Sequence, residues 1–116
     1  MDNDLKISDL KTWRREIQEK LEELEDETQQ AVEEAQCLNQ RREILAYLHG
    51  TTPSDSPENI AIERKLIVLV EELDDKVGEA TGLKKALDSE LAASEVILKR
   101  ISLELKDLGE DEKEVD

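Results

Sequence analysis

The chain has 116 residues, with 31 acidic and 16 basic side chains, a net charge of −15 and two aromatic residues. That length supports one domain at most, and a chain that is 41% charged and lacks Phe is unsuited to a compact globular core. Two classes remain: disorder, or long helices that bury a narrow apolar stripe. The 17 Leu residues favour helices if they are periodic.

In chain order, residues 1–6 read as a flexible N-terminus and residues 7–49 as a first coiled-coil helix, starting between Asp4 and Asp9 with Ser8 as a candidate cap. Its apolar positions follow a heptad: Ile7, Leu10, Ile17, Leu21, Leu24, Ala31, Ala35, Leu38 and Leu45, with Arg14, Thr28 and Arg42 as polar members. Residues 50–57 form the one internal loop and contain both prolines. Gly50 is expected as the C′ residue of the first helix. Ser56 and Pro57 are expected as N-cap and N1 of the second helix. That helix covers 58–108, with a seam of Glu63, Leu66, Val70, Leu73, Val77, Ala80, Lys84, Leu87, Leu91, Ser94, Leu98, Ile101, Leu105 and Leu108. Residues 109–116 read as an acidic, disordered tail.

The two seams fit each other. Ala35 with Leu73, Leu38 with Val70, Leu21 with Leu87, and Leu10 with Leu98 all pair about residue 54, the middle of the loop. About one register in seven would agree in this way by chance, so the match supports a hairpin without proving it. Arg14 then faces Ser94, and Arg42 comes within a layer of Glu63, where an ion pair is expected. The fold class is all-α: two long helices forming an antiparallel coiled-coil hairpin that joins a larger helical bundle or coiled-coil assembly.

Apolar residues off the seam call for further helices. Ile44, Tyr47, Leu48, Ile60, Ile62, Ile67, Val68 and Leu69 surround the loop end together with Leu66 and Val70, because the run 66–70 is apolar on every side. A helix apolar all round is buried all round. Trp13, Val96, Ile97 and Leu103 leave the seam towards the termini. These residues are the expected partner interface, for other coiled-coil or helical chains, with a hetero-complex favoured and a homodimer possible.

Other chemistry is poorly supported. One Cys (Cys37) and one His (His49) rule out a disulfide framework and the usual zinc sites. No nucleophile–base–orienter set can be assembled, so no catalytic, metal or cofactor site is expected. The stretch 78–85 has three residues between its glycines where a phosphate loop needs four. The acid excess argues against direct nucleic-acid binding and permits a basic partner, and no run approaches the ~18 apolar residues of a membrane span. Thr52-Pro53 and Ser56-Pro57 are minimal proline-directed phosphorylation sites, although turn and cap chemistry explain the same residues. A lone Cys behind an acidic N-terminus suggests an intracellular setting, cytoplasm or nucleus.

The expected function is a non-enzymatic structural or assembly subunit of an intracellular multiprotein complex. By analogy of layout alone this leans towards cytoskeletal or kinetochore-type complexes. The alternative is a regulatory adaptor that receives a partner helix at the hairpin tip and is switched by loop phosphorylation.

Overall fold

The computed structural model describes residues 3–109. It contains two helices, α1 (Asn3–Thr51) and α2 (Pro57–Asp107), which pack against each other as a helical hairpin. Contacts divide the chain into two units. The loop unit is residues 27–84, and the terminal unit combines 1–26 with 85–116.

The first helix starts earlier than the sequence suggested. Residues 3–6 are helical, Asp4 sits in the first turn where the helix dipole favours an acid, and Ser8 lies inside the helix rather than capping it. Residues 1–2 and 110–116, which carry most of the expected flexible tail, lie outside the described residues. Gly109 has φ +89° and its N–H reaches the Lys106 carbonyl at 3.0 Å, a glycine closure of α2.

Gly50 is not a C′ residue. It lies within α1, its φ is not positive, and helical hydrogen bonding runs on to Thr52, whose N–H reaches the Leu48 carbonyl at 2.9 Å. Side chains replace the expected left-handed closure. Thr51 Oγ1 donates to the Tyr47 carbonyl and Thr52 Oγ1 to the Leu48 carbonyl, both at 2.9 Å. Asn59 Nδ2 donates to the His49 carbonyl at 2.8 Å. The carbonyls of Tyr47, Leu48 and His49 are thus satisfied without a residue of positive φ.

The start of α2 is as expected. Ser56 Oγ accepts the Asn59 N–H at 3.1 Å, as an N-cap does at N3, and Pro57 is the first helical residue. Asn59 is buried, and its amide also meets Thr52 Oγ1 at 3.0 Å. One side chain therefore joins the end of α1, the loop and the start of α2.

All twelve expected seam residues of α1 are buried or half-buried. On α2 Leu66, Leu73 and Ala80 of the loop unit face inward as expected, but the alternate seam positions slip by one residue. Glu63, Val70, Val77, Lys84 and Leu91 are exposed, whereas within the loop unit the inward positions are Asn59, Ile62, Leu66, Leu69, Leu73, Lys76, Ala80 and Leu83. In the terminal unit Leu87, Ser94, Leu98, Ile101, Leu105 and Leu108 face inward as expected. A strict seven-residue repeat assumes 3.5 residues per turn, and an α-helix drifts about 20° per heptad from it. Leu91 falls where the buried stripe changes phase.

The terminal unit is centred on Ile101 and Leu105, its most completely buried side chains. Arg14 and Ser94, expected in one layer, are both buried there. In the loop unit the core is Ala31, Thr28 and Leu69. No buried side-chain nitrogen or oxygen among the described residues lacks a hydrogen-bond partner.

Candidate functional site

The rotation of α2 decides what the loop unit presents to its surroundings. Turning Leu69 and Ile62 inward places Val70 and Glu63 outside, so the expected tip patch separates into two faces on opposite flanks of the seam. Leu69, expected in a partner interface, is only 8% exposed and belongs to the internal core. Ile62 and Leu66 are half-buried on the same seam.

One flank carries Ile60, Ile67, Val70 and Val77 of α2, all exposed, at the spacing of a second helical stripe. Its groove, about 610 Å³, is lined by Val32, Ala35 and Asn39 of α1 and Leu73, Val77, Ala80 and Lys84 of α2. The small residues Ala35 and Ala80 leave this depth. Gly78 and Gly82 do not contribute a close approach, since a Cβ added to either would meet nothing within 4 Å.

The other flank holds a groove of about 710 Å³. Ile44 and Leu45 of α1 and Val68 and Leu69 of α2 form its floor and walls, and Arg41, Arg64, Lys65 and Glu72 rim it. Ile44 is 56% and Val68 55% exposed, a large apolar area for a side chain with no contact on its outer side. Tyr47 is 69% exposed and Leu48 is also exposed, both near this end of α1.

The terminal unit offers less. Trp13, Val96 and Leu103 are exposed, while Ile97 is half-buried.

Polar expectations are revised in the loop unit. Arg42 does not pair with Glu63; its Nε donates to Asn39 Oδ1 at 3.0 Å, and Glu63 is exposed because α2 presents Ile62 inward. Lys84, expected at a seam position, is exposed and already has a partner. The cross-helix ion pair is instead Lys76 with Glu34, at 2.9 Å, with Glu79 completing the cluster at 2.8 Å. Hydrogen bonds donated by the Lys76 ammonium to the Glu79 and Glu34 carboxylates hold its pKa above the ordinary lysine range. Lys76 carries no distinguishing signal in the sequence, because a Lys at an inward position looks like an outward one.

Both candidate phosphorylation sites are engaged. Thr52 Oγ1 donates to Leu48 and accepts from Asn59, and Ser56 Oγ donates to the Pro53 carbonyl at 2.7 Å while capping α2. Cys37 is exposed and unpaired as a thiol. Among the described residues, no helix is long and apolar enough to cross a membrane.

Comparison with known protein families, with characterised proteins and with solved structures finds no match to this chain.

Proposed function

We propose that the chain is a non-enzymatic assembly subunit that joins other helical chains through the two apolar flanks of its loop unit. The observation that carries this reading is the exposure of Ile44, Ile67, Val68 and Val77 on a hairpin whose own seam is already filled. A helix with apolar side chains on three sides has more apolar surface than one partner can cover. Full burial of such a side chain contributes roughly 1.5–3 kcal/mol, and covering the half still exposed on each contributes roughly half of that, a driving force for added helices. The free, exposed Cys37 thiol fits a reducing compartment within the cell.

Sedimentation equilibrium of the purified chain tests this. The expected result is a mass above that of one chain, or a monomer that melts without a cooperative transition, with Ile67→Glu reducing any association. A fully folded monomer at all concentrations contradicts the subunit reading.

The groove between Ile44 and Val68 favours a second reading, an adaptor that receives one removable helix there. That reading requires a folded free chain. A phosphate switch in the loop would have to break the Thr52 or Ser56 hydroxyl bonds first, and at Ser56 it would gain the favourable electrostatics of a helix N-terminus.

A further inference from the structure

The loop unit contains six Lys or Arg residues, and four of them stand at 41, 42, 64 and 65. Two are on α1 and two on α2, and the hairpin brings them to the same level. Three of these, Arg41, Arg64 and Lys65, rim the groove whose floor is Ile44, Leu45, Val68 and Leu69. Among the described residues, no carboxylate lies within ion-pairing distance of any of the three. By contrast Lys76, in the same unit, is held by two carboxylates.

This is unusual for a chain with a net charge of −15. Acids outnumber bases about two to one, yet one apolar groove is rimmed by three unpaired cations and a single acid, Glu72. From the whole-chain charge a basic partner is the natural guess. The local charge reverses it. An incoming helix with basic flanks would meet like charges across the rim, which costs specificity and affinity.

We propose that this groove receives an acidic amphipathic helix of another protein, its apolar stripe seated on Ile44 and Val68 and its flanking carboxylates paired with Arg41, Arg64 and Lys65. The proposal deepens the reading that the loop unit receives other helices, and it rests on that reading. A trough between two antiparallel helices suits a rod-shaped apolar ligand. Arg41 and Arg64 can each hold a carboxylate with two parallel hydrogen bonds, which fixes the register of the incoming helix. The long-range field of the chain would slow approach of an acidic partner, so the groove gains its selectivity at contact distance, inside about one Debye length of 8 Å.

The test is selection from a displayed library of helical peptides with Leu fixed at i, i+3 and i+7 and Glu, Lys, Gln or Ala at the flanking positions. The full chain is the bait, beside Arg64→Glu/Lys65→Glu and a charge-matched control, Lys85→Glu/Lys99→Glu, all checked for equal helicity by circular dichroism. The expected result is enrichment of Glu-flanked peptides on the wild type and on the control. Their binding to Arg64→Glu/Lys65→Glu should be about ten-fold weaker or more, the scale of two partly screened rim charges. Enrichment of Lys-flanked peptides, or of Glu-flanked ones equally on all three baits, overturns the proposal while leaving helix reception by the loop unit intact. No enrichment of any peptide overturns both. Self-association that Arg64→Glu/Lys65→Glu abolishes assigns the groove to a second copy of this chain, and binding to phosphatidylserine vesicles in place of peptides assigns it to a membrane. Either outcome overturns the acidic-helix proposal.

Discussion

The side-chain amide of Asn59 donates to the main-chain carbonyl of His49 at 2.8 Å, so a residue three positions into the second helix closes the last turn of the first. The same amide meets Thr52 Oγ1, and Asn59 is buried. The turn is therefore specified by side chains from both helices and requires no glycine in a left-handed conformation.

Replacing that amide removes a donor from a partly buried carbonyl. Asn59→Ala should cost about 0.5–1.5 kcal/mol, the usual net worth of a hydrogen bond. Ser56→Ala should cost about 1 kcal/mol as a lost N-cap. Chemical denaturation of the two variants and of the double variant measures both. A neutral Asn59→Ala would mean that the turn is held by the Thr51 and Thr52 hydroxyls alone.

The phase of α2 is open to a direct test. Leu69→Ala should destabilise by about 2–5 kcal/mol, as for a buried Leu, whereas its neighbour Val68→Ala should change the stability of the isolated hairpin by less than about 0.5 kcal/mol. A small cost at Leu69, with Val70→Ala costing more, would restore the strict heptad, which places Val70 in the seam.

Gly78 and Gly82 lie inside α2 with open space where a Cβ would stand. Each Gly→Ala substitution should stabilise the chain, by up to about 1 kcal/mol, because the unfolded chain loses freedom and nothing in the folded chain is displaced. Thermal melting checks this. A destabilised Gly78→Ala would show that another chain packs against this face of α2 in the assembly measured.

Lys76 sets an alkaline limit. Its folded pKa is raised above the ordinary 10.5 by Glu79 and Glu34, so the ion pair contributes fully below pH 10.5 and is lost as pH rises through the folded value. The stability difference between wild type and Lys76→Met should be flat across neutral pH and shrink only above about 10.5. A difference that changes between pH 5 and 8 would point to another titrating group.

Much of this architecture is legible in the residues. The α1 seam from Ile7 to Leu24 is legible position by position, because each apolar member has a charged neighbour that leaves one phase open, and the seven-residue repeat carries it on to Leu45. The same reasoning misplaced α2 in the loop unit for a physical reason. The run 66–70 is apolar at every position, so Leu69 and Val70 compete for the seam, and composition cannot choose between them. The polar Glu63 and Lys84 at assigned inward positions were the available sign of a one-residue slip. Asn59 went unnoticed since its role depends on a carbonyl ten residues earlier that only the closed turn brings near. The off-seam apolar residues could be found in the sequence. Their division into two flanks, and the meeting of Arg41 with Arg64 and Lys65 at one of them, needed the rotation of α2 and the register of the hairpin.

The most direct test of the central claim is cross-linking mass spectrometry on the chain purified from its own cells. The account predicts links from Lys65 and from Lys84, one beside each groove, to helical segments of other chains, lost in Ile67→Glu/Val68→Glu. Recovery as a single chain, with these lysines linked only within it, would contradict the account.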